Sequence, residues 1–188
     1  MKITTIRHGE TDWNAARKIQ GHTDIPLNAV GLNQAERLAA RLADEPCDAI
    51  FTSDLLRARK TAEIINTHHN APLIASFNLR ERNCGEFEGQ LLSDPDIRAA
   101  FFVYLDATVN MYFPKIHAEL EKILSGGYKN IFIVGHYGTA MAILYGLLQI
   151  PAEERGRYTI GNTAINAFEI GSDDKFFLSL ENDTAHLL

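Results

Sequence analysis

Ile3-Thr4-Thr5-Ile6-Arg7-His8-Gly9-Glu10-Thr11 runs from strand-forming residues straight into a cation, an imidazole and a glycine. The β-branched run reads as a strand over residues 2–7, closed by Gly9. In α/β proteins ligands bind outside the carboxyl ends of the strands, so whatever follows this strand stands in binding position. Arginine offers a planar fork to phosphate oxygens. Glycine lets backbone come close to a ligand, and histidine is one of the few side chains that form covalent intermediates. An isolated Arg-His-Gly is better read as a loop with a satisfied histidine; the rest of the chain decides against that reading.

Outward from this stretch, strand-like runs recur at 49–52, 73–77, 130–135, 164–170 and 176–180. Helical patterns fall between most of them, which predicts a three-layer α/β/α sandwich around a mostly parallel six-stranded sheet. The last two runs are separated only by Gly171-Ser172-Asp173-Asp174-Lys175 and read as a hairpin, giving the sheet an antiparallel edge strand. Asn28 is placed to cap a helix with Leu32, Ala35, Leu38, Ala39 and Leu42 inward, and Ser53 to cap the next, with Ala58, Ala62 and Ile65 inward. Asp94-Pro95 is an N-cap followed by proline at the first helical position, and the helix from there carries Ile97, Phe101, Tyr104, Leu105 and Thr108 at helical spacing. Pro114 is expected to restart a helix with Ile116, Leu120, Ile123 and Leu124 inward, closed by Gly126-Gly127. Residues 140–149 are apolar nearly all round, as in a buried helix. Without repeats, low-complexity tracts or a flexible linker, residues 1–188 read as a single domain with a helical excursion at about 90–113.

The 188 residues are 46% apolar and 22% charged, a soluble globular composition. A net charge of −6 argues against nucleic acid or an anionic membrane as partner, so an anionic substrate needs a local cationic pocket. The longest apolar stretch, 140–148, is far too short to span a bilayer. Cys47 and Cys84 have no metal-like or redox spacing, and Met1-Lys2-Ile3 does not open a signal peptide. A cytoplasmic location is the expectation.

Four segments place reactive groups at the ends of predicted strands. Arg7-His8 is the first. Ser53-Asp54-Leu55-Leu56-Arg57 puts an arginine in the first turn of a helix, where free N–H groups already favour an anion. The alternative for Arg57 is a surface ion pair with Asp54 or Glu63. Leu79-Arg80-Glu81, followed by Gly85-Glu86-Phe87-Glu88-Gly89, supplies a carboxyl group suited to general acid work, unless Glu81 simply pairs with Arg80 or Arg82. Gly135-His136-Tyr137-Gly138-Thr139 brings a second histidine to a strand end before a helix. Two arginines, two histidines and one carboxylic acid suit transfer of a phosphoryl group to histidine, which needs mainly positioning and charge neutralisation.

With these segments in view, the chain resembles the histidine phosphatase superfamily, in its phosphoglycerate-mutase-like branch. The likeness rests on Arg7-His8-Gly9-Glu10-Thr11 with Trp13-Asn14, on Gln20-Gly21, and on Asp24-Ile25-Pro26-Leu27. It continues through Gly31 with Gln34-Ala35, Ser53-Asp54-Leu55 with Arg57-Ala58, Thr61-Ala62, Leu79-Arg80-Glu81, the segment 85–89 and Gly135-His136. The resemblance implies a nucleophilic His8 that becomes phosphorylated on its ring. It implies that Arg7, Arg57 and His136 hold the phosphoryl oxygens, and that Glu81 protonates the leaving alkoxide and then activates water. Asn14, Gln20 and Gly21 follow as substrate contacts. It implies neither a metal nor a cofactor, and a small phosphorylated metabolite as substrate.

The chain also departs from that pattern. A Gly-Glu-Ser stretch often found before the second histidine's helix is replaced by Leu105-Asp106-Ala107-Thr108-Val109-Asn110. The excursion is aromatic, with Phe101, Phe102, Tyr104, Tyr112 and Phe113, which fit an apolar pocket, a homodimer face or the core of a helical pair. Tyr137 stands where a small residue is common. Hydrolysis of a small phosphomonoester is therefore the leading expectation. Phosphoglycerate mutase-type transfer is the first alternative, disfavoured by a short cover that excludes water poorly. A catalytically slow phospholigand-binding or partner-binding protein is the other.

Overall fold

The computed structural model describes residues 1–151, 154 and 158–188. All six strand runs form one sheet in the order β3-β2-β4-β1-β5-β6. β1 (Lys2–Arg7), β2 (Ala49–Ser53), β3 (Leu73–Ser76) and β4 (Asn130–Gly135) are mutually parallel. β5 (Ile165–Ile170) runs antiparallel to β1 and makes a hairpin with β6 (Phe176–Asp183), so the reversed strand lies one place in from the edge.

Alternation along the strands builds two cores. Ile3, Phe51, Ile131 and Ile133 point to the face covered by α4 (Pro95–Leu124) and α5 (Tyr137–Leu147). Ile6, Ile50, Phe132 and Val134 point to the opposite face, covered by α2 (Ala29–Leu42) and α3 (Leu56–Asn66). Parallel strands buried on both faces read as continuous apolar runs, which is why no polar alternation marked them.

The caps at Asn28 and Asp94 form: Asn28 Oδ1 accepts from Gly31 N at 2.8 Å, and Asp94 Oδ1 from Asp96 N at 2.9 Å. Three local expectations are corrected. Ser53 does not cap α3; its Oγ accepts from Leu55 N at 3.3 Å and the helix begins after Leu55. Leu32 faces outward, and Gly31 takes the inward position because a β-carbon there would overlap the Glu10 backbone. Pro114 does not restart a helix but sits inside the continuous α4. Proline forfeits one intrahelical hydrogen bond, at a cost of about 3 kcal/mol in a helix interior. Phe113 and Ile116, buried on either side of it, hold the helix together across the gap.

Candidate active site

β1 and β4 are parallel neighbours with Arg7 opposite Gly135, so the next residues, His8 and His136, leave the sheet side by side. Their ring centroids are 5.3 Å apart, edge to face. His8 Nδ1 lies 2.7 Å from the Gly9 carbonyl oxygen. A carbonyl only accepts, so Nδ1 carries the proton and Nε2 keeps its lone pair. Burial, and then Arg57 and Arg7, hold the His8 pKa well below its usual value. The ring is neutral at pH 7, as a nucleophile must be. His136 is wholly buried at the N-cap of α5, with its pKa depressed by burial and then by Arg57, and among the described residues neither of its ring nitrogens has a hydrogen-bond partner. Buried polar atoms in this state are rare, and a ligand oxygen would satisfy one of them.

Arg57 is 1% exposed, which excludes the surface ion pair. Asp54 is instead taken by Arg80, Nε to Oδ1 at 2.6 Å, and Glu63 by Arg59 at 3.1 Å. The Arg57 guanidinium donates to two carbonyls, Gly21 O at 2.8 Å and Thr23 O at 2.9 Å. Arg7 Nη1 donates to Ile160 O at 2.7 Å, and its guanidinium lies 5.6 Å from the centre of the Tyr137 ring. Among the described residues neither arginine makes an ion pair. Carbonyl dipoles fix both cations in place without neutralising them, and burial lowers the pKa of each. Two guanidinium groups held by carbonyls rather than by ion pairs, beside a neutral imidazole, make an anion site, with Glu81 the leading carboxylate acting on both at longer range.

Glu81 follows a turn of 3-10 helix, Phe77–Leu79, after β3. Its carboxylate accepts from the backbone N–H groups of Arg82 at 2.8 Å and Gly138 at 3.1 Å. Arg80 is engaged by Asp54, and Arg82 donates to Leu105 O, so neither cation pairs with Glu81. The carboxylate seats on the first turn of α5 because residue 138 is glycine; a β-carbon there would overlap Oε1.

Arg7, His8, Asn14, Gln20, Gly21, Arg57 and Glu81 all line one cleft of about 970 Å3, with His136 buried against the His8 ring. Asn14 Oδ1 accepts from Thr11 N at 3.2 Å within a capping box, and Gln20 Oε1 accepts from Thr11 Oγ1 at 3.1 Å. Gly21, with φ +54°, turns its carbonyl to Arg57. A family model of the histidine phosphatase superfamily (branch 1) matches residues 3–184. The chain belongs to that superfamily. An uncharacterized phosphatase of Bacillus subtilis, PhoE, is 37% identical over 145 residues, covering 76% of this chain and 75% of its own. The phosphoglycerate mutase-like protein 4 of Arabidopsis thaliana is 32% identical over 199 residues, 99% of this chain and 86% of its own. The crystal structure of a phosphoserine phosphatase from Entamoeba histolytica in complex with 3-phosphoglyceric acid superposes with a TM-score of 0.85 at 28% identity, covering 100% of this chain and 99% of that one.

Several supporting residues of this histidine phosphatase site escape the sequence. Thr163 N donates to Arg7 O at 3.0 Å and Asn162 Nδ2 to His8 O at 3.0 Å, so the turn before β5 clamps the end of β1. Glu88 accepts from His22 N at 2.8 Å, Thr23 N at 2.9 Å and Cys84 N at 3.2 Å, bracing the loop whose carbonyls hold Arg57. The one available signal was Glu88 inside the glycine-flanked 85–89 stretch, read there only for its motif. The aromatics divide: Phe101 and Phe113 line the cleft, Tyr112 is buried in the core, and Phe102 is 55% exposed. No helix among the described residues is long and apolar enough to cross a membrane.

Proposed function

We propose that this protein is a phosphatase of small phosphate monoesters and that it works through a phosphohistidine on His8. The observation that carries the reading is the neutral His8 ring, with Nδ1 committed to Gly9 O, beside two guanidinium groups that make no ion pair among the described residues. The named phosphatase relative and the solved phosphoserine phosphatase support the reaction class.

In the first step His8 Nε2 attacks phosphorus and the P–O bond to the ester oxygen breaks. Glu81 gives the departing oxygen its proton. In the second step Glu81 takes a proton from water as the water oxygen attacks phosphorus. The P–N bond breaks, inorganic phosphate leaves and the imidazole returns to its starting state. Arg7, Arg57 and His136 hold the phosphoryl oxygens throughout, and each charge-assisted hydrogen bond contributes about 1.5–3 kcal/mol. Asn14, Gln20 and the Gly21 backbone contact the bound ester. Positioning and fixed positive charge supply most of the acceleration, as phosphoryl transfer requires.

The test is release of inorganic phosphate from p-nitrophenyl phosphate, compared between the protein and His8→Ala. Turnover by the former and a loss of about a thousandfold or more in the latter is expected. Equal rates would sink the assignment of His8. Incubation with 3-phosphoglycerate separates the mutase reading: isomerisation outrunning phosphate release would favour it.

A further inference from the structure

Three consecutive residues, Gly21-His22-Thr23, bond to two of the groups that do the chemistry. The carbonyls of Gly21 and Thr23 hold the Arg57 guanidinium at 2.8 and 2.9 Å. The ring of the residue between them has a different partner: His22 Nε2 lies 2.8 Å from the main-chain oxygen of Glu81. A carbonyl only accepts, so this nitrogen carries a proton and donates the hydrogen bond. The ring also packs edge-on against Phe77, centroids 6.2 Å apart, in the turn that leads into Glu81. The backbone beneath it is pinned in turn, with His22 N and Thr23 N donating to the two carboxylate oxygens of Glu88.

We infer that His22 is a positioning residue for Glu81, given the reading of Glu81 as the general acid. Glu81 lies outside regular secondary structure, after the 3-10 turn and before the irregular residues 82–84. Neither a helix nor a sheet ladder fixes its main chain, so side chains supply the donors that its carbonyls need. Three successive carbonyls here each accept from a different element: Leu79 O from Thr139 Oγ1 of α5 at 3.0 Å, Arg80 O from Tyr112 Oη of α4 at 3.0 Å, and Glu81 O from His22. Of these three donors, His22 is the one that belongs to the segment holding Arg57. It therefore sets the separation between the guanidinium that grips the phosphoryl group and the carboxyl that must reach the ester oxygen. Misplacing a reacting group by about an ångström can cost on the order of a hundredfold. Removing the His22 ring leaves the carbonyls of Gly21 and Thr23 in the chain to hold Arg57, so the loss falls on protonation of the leaving group more than on the phosphoryl clamp.

The experiment measures kcat/KM for phenyl phosphate and for p-nitrophenyl phosphate. The two esters share a ring, and the nitro group makes the departing oxygen a far weaker base that leaves with little help from an acid. Because kcat/KM covers the steps up to cleavage of the ester bond, breakdown of the phosphohistidine does not enter. The ratio of the two values is also independent of the fraction of active enzyme. His22→Ala should lower the phenyl to p-nitrophenyl ratio about threefold or more, in the same direction as Glu81→Gln. His22→Gln keeps an N–H at similar reach and should restore the ratio at least in part. In the Glu81→Gln background, His22→Ala should lower the ratio little further, since the acid it positions is gone. An unmoved or raised ratio in His22→Ala overturns the inference, because a purely structural defect slows both esters alike. So does an undiminished further fall in the Glu81→Gln background, or a glutamine variant no better than alanine. Turnover of p-nitrophenyl phosphate that depends on His8 leaves the phosphatase reading standing under each of these results. Its absence overturns that reading and the inference with it.

Discussion

In the pocket at the ends of β1 and β4, the polar side chains are fixed largely by backbone: Arg57 by the carbonyls of Gly21 and Thr23, Arg7 by Ile160 O, His8 by Gly9 O, and Glu81 by the N–H groups of Arg82 and Gly138. The facing stretch of α4 is tied down mainly by side chains: Tyr104 Oη donates to Asn83 O at 2.9 Å, Tyr112 Oη to Arg80 O at 3.0 Å and Arg82 to Leu105 O, while Phe101, Leu105, Val109 and Phe113 line the cleft on a helix with a proline in its interior. Groups held from many segments at once are fixed more closely than side chains presented by a single helix face. A single substitution should therefore do most damage in the pocket and least on the cover.

Arg57→Ala offers the largest contrast. Loss of one oxyanion-binding donor should lower kcat by about a hundredfold or more. Arg57→Lys should recover little, because three N–H groups on one nitrogen cannot reproduce the planar fork whose separate nitrogens reach both carbonyls and a phosphoryl oxygen. Steady-state kinetics of both variants check this, and near-normal kcat in the lysine variant would break the comparison. Gly138→Ala should come next, lowering kcat about tenfold with a smaller change in KM, since the new methyl group displaces the Glu81 carboxylate from the α5 terminus. Unaltered kcat in that variant would separate Glu81 from the chemistry.

A third expectation concerns pH. Burial holds the pKa values of His8 and His136 well below the ordinary 6.5 in the folded chain. On lowering the pH through that value, the unfolded chain binds protons that the folded chain does not, so stability present above pH 6.5 is lost as the pH falls toward the folded values. Urea unfolding at pH 7.5 and 5.5 should show the lower stability at 5.5, and His8→Ala should shrink the difference; an undiminished difference would count against the neutral, buried state of that ring. The smallest effect is on the cover. Pro114→Ala restores a helical N–H, and the melting temperature should rise by a few degrees. A fall would mean that the packing around Phe113 depends on the proline.

Much of the sheet was legible because buried parallel strands are continuous runs of β-branched and aromatic residues bounded by turns. The candidate site residues were legible because each of their segments follows a strand, His8 and His136 directly and Arg57 and Glu81 a few residues on. What holds them was not. The acceptors for Arg7 and Arg57 are main-chain carbonyls of Ile160, Gly21 and Thr23, and a carbonyl looks the same under every side chain. The continuity of α4 through Pro114 was hidden for a related reason: local propensity forbids it, and only packing on residues distant in sequence, such as Met141 and Tyr145, overrides it. Gly31 in place of Leu32 on the inner face of α2 likewise depends on the Glu10 backbone, a neighbour no helical periodicity can see.

The one-to-one pairing of residues 2–7 with 130–135 has a consequence for how this chain tolerates insertions and deletions. An indel in the connection around Gly126 and Gly127 changes loop length and leaves the two imidazoles adjacent. The same indel inside Asn130–Gly135 would shift every following residue to the other side of the sheet and carry His136 away from its neighbour. Length variation between lineages should therefore collect in the connection and spare the strand.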